Sequence, residues 1–411
     1  MSEDRSSQRA VRDAMPAPGP HGRECPIARQ RLLRVSTRPT GFTGCCNLRQ
    51  LAAYLPNECP DADVARLRPE IFIDLASTAP PRGARDPCAS AGGSGVCPSL
   101  TRQLLGGRFR FESDSAALLQ LVEEAYGGLP AHTFHFAAPE FRVELRLVAR
   151  QQTTPATEPS PVQALTATNL PRATIDAANY AEVAPEQHRA VIVISEDMLA
   201  HAYHVRYGLL EFAVFILAAR CIGLVPLHGA CVGRGRRGVL LLGTSGSGKS
   251  TLALHGLLQG LDLLAEDAVF VEPESMLATG LANYLHVTGD ALRLVDDETR
   301  GWISRSPVIR RRSGVEKYEA DPRKGPGRLA AAPLELAAAV FVLGEPAEGA
   351  DLLQRIPDPL IDSRLSADQA YAMTQPGWCY FSQRLKQRGV YELRRGQHPH
   401  DTIEGLRRLL D

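Results

Sequence analysis

The segment Gly243-Thr-Ser-Gly-Ser-Gly-Lys-Ser250 has the residue types and spacing of a phosphate-binding loop. It fits the pattern G-x-x-x-x-G-K-[ST] in full, follows the apolar run Val239–Leu242 and precedes the helix-forming run Thr251–Leu258. Glycines in such a loop let backbone N–H groups turn towards phosphate oxygens, and the N-terminus of the next helix favours negative charge. The sequence therefore predicts a nucleotide site.

Each residue of this segment has an expected role in binding a nucleotide. The ammonium group of Lys249 is expected to contact the β- and γ-phosphates, and the hydroxyl of Ser250 is expected to be a Mg²⁺ ligand. The residues expected to hold the phosphates are Gly243, Thr244, Ser245, Gly246, Ser247, Gly248, Lys249, Ser250 and Thr251.

Two adjacent acids, Glu266 and Asp267, interrupt the apolar stretch Leu261–Val271 shortly after the expected helix. A carboxylate at the end of a strand beside a phosphate loop can bind Mg²⁺ or accept a hydroxyl proton. A solvated turn is the alternative interpretation. Two common nucleotide-dependent classes are disfavoured, because the chain has neither an N-K-x-D guanine motif nor an L-S-G-G-Q signature.

The elements that must position these residues can be read from apolar patterning. A long helix is expected over 198–222, followed by a hairpin of Pro226–Val232 and Val239–Leu242 joined by Gly233–Gly238. Apolar strands and helices then alternate to about residue 400, which is typical of an α/β domain. We therefore expect a catalytic domain over 198–411.

The preceding residues divide into two regions. Residues 105–195 predict a small α+β region of unknown role, with strands near 108–111, 141–147 and 191–194, a helix near 118–126 and a polar, loop-like stretch over 151–188. Residues 1–100 are rich in Pro, Gly, Cys and Arg and predict a region of low order.

These residues resemble the C-terminal catalytic domain of HPr kinase/phosphorylase. The resemblance is carried by Leu227-His-Gly229 on a strand, the glycine-rich loop, and the pattern L-x-x-E-D-x-V at Leu263–Val269. It covers roughly residues 200–275 well and is loose to residue 400. It implies a P-loop serine kinase whose mixed-sheet fold is similar to that of phosphoenolpyruvate carboxykinase.

The resemblance also implies roles for single residues. His228 is expected near the transferred phosphoryl group, although a histidine on a strand can equally be a core residue. Glu266 and Asp267 match a pair of aspartates in the family, one acting as base for the substrate serine and one lying near the metal. Because the first acid is Glu here, Asp267 is the stronger candidate for an essential acid and, with Ser250, for a metal ligand.

One departure concerns the family's downstream Arg-Gly-x-Gly signature, which is missing between Phe270 and Leu343. This puts a phosphorylase activity, and HPr itself as the acceptor, in doubt. The basic run Arg310–Arg312 is either a solvated loop or a grip for phosphate or an acidic substrate. Lys317, which is one of only four lysines, is either an active-site cation or a surface residue.

The sequence thus predicts an ATP- and Mg²⁺-dependent kinase for a serine on a protein or peptide, such as an HPr-like protein or a small peptide. A small-molecule kinase and a nucleotide-dependent switch with weak ATPase activity are the alternatives. Equal numbers of basic and acidic residues, 46 each, exclude a polyanion binder that works by bulk charge. No nucleic-acid or membrane partner and a cytoplasmic location are expected. The family tends to form rings, so a homo-oligomer is one state to test, although the motifs alone do not carry it over.

Overall fold

The computed structural model of this chain describes residues 97–150, 158–166, 168–310, 315–347, 352–396 and 398–411. Over these ranges the protein is a mixed α/β structure whose strands form three sheets. The predicted low-order region at 1–100 lies outside the described residues up to residue 96. None of the helices in the described ranges has the length and apolar character needed to cross a membrane.

Seven strands form the first sheet, and their bounds are β1 (Ser99–Leu104), β2 (Gly107–Glu112), β3 (Glu140–Val148), β4 (Gln163–Leu165), β5 (Arg172–Asp176), β6 (Asn179–Ala184) and β7 (Arg189–Ser195). Their order in the sheet is β1-β2-β3-β7-β6-β5-β4. Helix α1 (Ala116–Tyr126) packs on the apolar face, where Phe109, Phe111 and Phe141 are buried. The strands and the helix expected near 108–147 and 191–194 are confirmed.

The expectation that 151–188 is loop-like is wrong for the described part of that stretch. Strands β4, β5 and β6 lie there and extend the sheet beyond β7. Their inward residues are largely small, as at Ala164, Ala173 and Ala181, and all three are buried. Alanines alternating with polar residues give a weak apolar signal, and pairing with β7 supplies the stability that local propensity lacks.

The helix expected over 198–222 is confirmed as one continuous helical segment with changes of pitch. A 3₁₀ turn (Glu196–His201) leads into helix α2 (Ala202–Val205), a π turn (Arg206–Leu210), helix α3 (Glu211–Leu217) and a second π turn (Ala218–Ile222). All seven residues of α3 are buried. The segment packs between the first sheet and the strand that carries Phe270, whose ring lies 4.9 Å from that of Phe215.

The described residues from 225 onwards contribute thirteen strands, which are β8 (Val225–His228), β9 (Ala230–Arg234), β10 (Arg237–Leu242), β11 (Asp262–Ala265), β12 (Ala268–Glu272), β13 (Leu277–Gly280), β14 (Leu285–Thr288), β15 (Val308–Arg310), β16 (Glu316–Ala320), β17 (Arg328–Leu329), β18 (Leu334–Pro346), β19 (Leu353–Arg355) and β20 (Val390–Arg395). Strands β14, β15 and β16 form a three-stranded sheet in the order β14-β16-β15. The other ten form a mixed sheet in which β10, β18 and β20 run parallel.

Five helices accompany these strands, and they are α4 (Lys249–Leu258), α5 (Asp297–Ser304), α6 (Asp358–Asp368), α7 (Trp378–Arg388) and α8 (Pro399–Leu410). Helices α4 and α8 pack together against one face of the ten-stranded sheet. Helices α6 and α7 cover the other face, where Phe381 and Leu385 are buried. The expected mixed α/β class is confirmed, but the expected regular alternation is wrong, because β11 to β14 and β15 to β19 follow one another without an intervening α-helix. The predicted boundary between residues 195 and 198 stays a prediction.

The expected strand Pro226–Val232 is split in two at Gly229, and this break shapes the candidate site. Strand β8 pairs with β12, whereas β9 pairs with β10 and β11. A Cβ atom at position 229 would lie 2.6 Å from the carbonyl oxygen of Leu241, so only glycine fits this crossing. The chain between β11 and β12 changes partners at the same place, where the backbone N–H of Gly229 donates to the Asp267 carbonyl at 3.0 Å.

Candidate functional site

The glycine-rich loop Gly243–Gly248 connects the buried strand β10 to helix α4, as the sequence predicts. Gly243, Gly246 and Gly248 have φ values of +131°, +83° and +106°, which side chains rarely adopt. A Cβ atom at position 243 would lie 2.7 Å from the carbonyl oxygen of Val342, which belongs to the neighbouring strand β18. The loop therefore needs glycine both for its backbone conformation and for its close approach to β18.

Lys249, the first residue of α4, folds back over this loop. Its ammonium group donates to the carbonyl oxygens of Gly243 at 2.6 Å and of Thr244 at 3.1 Å. The side chain is only 7% exposed. These bonds hold a positive charge at the loop, in the position where a phosphate group would gain most from it.

Asp267 and His228 meet beside the loop because their strands pair. Ala268 of β12 lies opposite His228 of β8, and this register brings Asp267 next to the histidine. Nδ1 of His228 is 3.3 Å from Oδ1 of Asp267. The histidine is buried, whereas the side chain of Asp267 keeps 31% of its surface exposed.

The side chain of Glu266 does not share the partner of Asp267 but contacts a residue that the sequence analysis missed. Its Oε2 lies 3.1 Å from Nδ1 of His286, which belongs to β14 in the three-stranded sheet. Both side chains are 5% exposed. The two adjacent acids thus belong to two separate carboxylate–histidine pairs.

A cavity of about 150 Å³ joins these groups. Of the residues predicted from the sequence, its walls include Ser245, Gly246, Gly248, Lys249, Ser250, Thr251, His228, Glu266 and Asp267. Gly243 and Thr244 contribute through the carbonyl groups that bind Lys249, and Ser247 lies on the other side of the loop. Lys317 also lines the cavity, which favours the active-site interpretation of this lysine.

The opposite side of the loop borders a wider cleft of about 1040 Å³. The cleft shares Gly246, Gly248, Thr251 and Thr288 with the smaller cavity, so the two spaces are adjacent. It lies at the carboxyl ends of the parallel strands β10, β18 and β20, where open α/β sheets bind ligands. Apolar side chains, including Leu294 and Leu352, line part of its wall.

The cavity offers oxygen ligands that suit Mg²⁺. Mg²⁺ is bound in proteins through one or two carboxylates, waters and substrate phosphates rather than by a full protein cage. Ser250 and the partly exposed Asp267 line the same cavity and match that need. Within the described ranges, no group of three or more His, Cys, Asp and Glu side chains could hold a metal ion by itself.

Of the basic run Arg310–Arg312, the structure describes Arg310 alone, and both interpretations of the run stay predictions. Arg310 forms a 3.5 Å ion pair with Glu316 across strands β15 and β16. Arg311 and Arg312 lie outside the described residues.

No model of a known protein family matches this chain, and no curated protein matches it. The resemblance to HPr kinase/phosphorylase therefore stays a prediction that depends on the quoted residues. The structure adds that most of the glycine-rich loop, His228, Glu266 and Asp267 lie around one cavity.

Proposed function

We propose that this protein is an ATP- and Mg²⁺-dependent kinase of the HPr kinase type, which acts in the cytoplasm on a serine of a protein or peptide. The observation that supports the proposal is the shared cavity. It combines a glycine-rich loop at a helix N-terminus with Lys249, Ser250 and the acid pair Glu266–Asp267. These are the parts that phosphoryl transfer needs, because the reaction depends on positioning and charge stabilisation.

In this proposal the loop amides and Lys249 bind the phosphate groups of the nucleotide. Ser250 and Asp267 would hold Mg²⁺, which neutralises charge on the phosphates when it is bound. The nucleoside would occupy the adjacent cleft of about 1040 Å³, which begins on the other side of Gly246 and Gly248. The acceptor hydroxyl would then approach from the side of His228 and Asp267 and give its proton to a base near the Glu266–Asp267 turn.

Two measurements test this proposal. The first is the affinity of the purified protein for ADP with and without Mg²⁺, and the second is a screen with γ-labelled ATP against proteins, peptides and small hydroxyl compounds. Labelled protein or peptide supports the proposal, and labelled small molecules would favour a small-molecule kinase. Release of phosphate without any labelled acceptor would favour a nucleotide-dependent switch, and a lack of nucleotide binding would overturn the proposal altogether.

A further inference from the structure

The pair formed by Glu266 and His286 lies in the wall of the cavity beside the glycine-rich loop. Glu266 stands at the turn between β11 and β12 of the ten-stranded sheet, whereas His286 belongs to β14 of the three-stranded sheet. The 3.1 Å contact between Oε2 and Nδ1 is therefore a link between two sheets at the cavity. Both side chains are almost completely buried.

With Glu266 ionised, this contact places the proton of the neutral His286 ring on Nδ1. Burying a carboxylate is costly unless hydrogen bonds replace its water. Within the described ranges, Nδ1 of His286 is the one hydrogen-bond partner of the Glu266 carboxylate. Because an ionised carboxylate only accepts, Nδ1 must be the donor. In the neutral ring, Nε2 then carries the lone pair, as in carboxylate–histidine pairs that serve as bases.

Nε2 of His286 is buried and has no hydrogen-bond partner among the residues that the structure describes. The ring lines both the cavity at the glycine-rich loop and a small cavity of about 20 Å³ behind it. The hydroxyl of Tyr207, which lines the small cavity, is also without a partner in the described part of the chain. Nε2 of His286 is thus a buried acceptor that can receive a hydrogen bond from a donor group of a bound substrate or from a single bound water.

Several charged and titratable groups surround His286. Glu319 lies directly opposite on β16, but Arg206 neutralises it through a 2.6 Å bond. Glu266 at the turn contacts the ring, as do the rings of Tyr203 and Tyr207 on the long helical segment. The other titratable groups that line one or both cavities with His286 are Asp267, His228, Lys317 and Glu211. Glu266 is therefore the negative charge in direct contact with the ring.

We propose that His286 is the base of the phosphoryl transfer and that Glu266 orients it, an inference that rests on the proposed kinase function. The acceptor O–H bond breaks and its proton binds to Nε2 of His286. The oxygen forms a bond to the γ-phosphorus with its electron pair, and the bond between that phosphorus and the β,γ-bridging oxygen breaks, so ADP leaves with that pair. The imidazolium, stabilised by Glu266, returns its proton to water after product release. Asp267 is thereby left to bind the metal.

The substitution His286→Asn tests whether His286 acts as the base or has only a structural role. Asparagine keeps an N–H group near the position of Nδ1 for Glu266 but has no equivalent of Nε2. The probe is hydrolysis of Mg-ATP with water as the acceptor, measured as phosphate release from about pH 5.5 to 9. We expect kcat to fall by roughly 10² to 10⁴, the acid limb of its pH profile to disappear, and the affinity for Mg-ADP to stay within about threefold. The matched control is His188→Asn, an exposed position in the turn before β7 at φ +51°, which asparagine tolerates.

Glu266→Gln supplies a second test, because glutamine still accepts a hydrogen bond from Nδ1 but has no charge. We expect it to lower kcat, since the uncharged amide no longer stabilises the imidazolium formed in the reaction. Wild-type turnover with an unchanged acid limb in His286→Asn would overturn the proposal.

Histidine-selective ¹⁵N NMR provides a readout that does not depend on turnover, with His286→Asn used to assign the resonance. We expect the Nδ1–H tautomer in the wild-type protein, and an Nε2–H tautomer would overturn the inference. Failure of the wild-type protein to bind Mg-ADP would instead overturn the proposed kinase function, so the two failures are distinguishable.

Discussion

Nδ1 of His228 lies 3.3 Å from Oδ1 of Asp267, and this contact follows from strand register. His228 is the last residue of β8, and Asp267 immediately precedes β12, which pairs with β8. The histidine forms part of the buried wall, while the acid keeps exposed surface at the cavity. Asp267 is therefore the acid of the pair Glu266–Asp267 that can reach a bound metal or phosphate directly.

The first prediction concerns Asp267→Asn. We expect Mg²⁺-dependent ATP turnover to fall by roughly 10²-fold or more, because the neutral amide is a poor Mg²⁺ ligand. Affinity for ADP without Mg²⁺ should persist, since in the proposed site the loop amides and Lys249 make the phosphate contacts. The measurements are ATP turnover at saturating Mg²⁺ and ADP affinity. The control is Asp262→Asn, which lies on the same segment of chain as Asp267 and loses an ion pair with Arg328. This variant should turn over ATP normally. Normal turnover in Asp267→Asn would exclude Asp267 as a metal ligand.

The second prediction concerns Lys249→Met, which keeps most of the side-chain stem and removes the charge. Phosphoryl transfer should become undetectable, because the ammonium group is the cation that the structure holds at the loop. The fold should persist, since the variant loses two hydrogen bonds to loop carbonyls, which corresponds to about 1–3 kcal/mol of unfolding free energy. ATP turnover and thermal unfolding check the two expectations. Lys386→Met, which removes a helix α7 lysine paired with Asp362, is the control. Retention of substantial turnover in Lys249→Met would contradict the nucleotide site.

The parts of the site that could be predicted from the sequence are those fixed by local chemistry. The glycine-rich loop is a contiguous pattern, and its strand and helix lie directly beside it in the chain. The acid pair Glu266–Asp267 follows the same helix closely. His286 could not be identified in this way, because it belongs to a short strand whose pairing with β16 is set by residues about thirty positions away. Its only local signal is a histidine between the apolar residues Leu285 and Val287.

The same distinction applies to the fold. The helical segment over 196–222 and strands β2, β3 and β7 have strong apolar patterns, and the structure confirms them. The break at Gly229 was not predictable, because it depends on contact between that glycine and Leu241 of another strand. Strands β4 to β6 were missed because alanine fills half of their buried positions, at 164, 173 and 181, which weakens the apolar pattern. Tertiary pairing decides the structure at these places, and a single sequence does not reveal it.

The third prediction concerns Lys317, the second lysine at the cavity. Lys324 and Lys386 pair with carboxylates, whereas Lys317 forms no ion pair with any residue that the structure describes. We expect Lys317→Ala to weaken the binding of a non-hydrolysable ATP analogue by roughly tenfold and to leave the affinity for ADP nearly unchanged. The reason is that an extra cation matters most where the γ-phosphate adds negative charge. Lys317→Arg should recover most of the affinity. Equal weakening of both nucleotides would mean that Lys317 does not contact the γ-phosphate. Lys324→Ala is the matched control.

The last prediction concerns pH and His255, which lies in α4 directly behind the glycine-rich loop. Burial, reinforced by the nearby positive charges of His398 and His400, lowers the pKa of His255 to about 4 from an ordinary value of 6.5. Below pH 6.5 the unfolded chain therefore binds a proton at His255, whereas the folded chain binds it only when the pH falls to about 4. The contribution of His255 to the free energy of unfolding is complete above pH 6.5 and is lost as the pH falls.

We expect this one residue to remove about 2 kcal/mol of unfolding free energy between about pH 7.5 and pH 5. His255→Leu should flatten that part of the pH dependence, because leucine does not titrate. The loss of polarity should cost little, since Nε2 of His255 has no hydrogen-bond partner in the described part of the chain. Denaturant unfolding at both pH values gives the slope for the wild-type protein, for His255→Leu and for the exposed control His188→Asn, which should keep the wild-type slope. A slope in His255→Leu as steep as in the wild-type protein would assign the acid sensitivity to other groups.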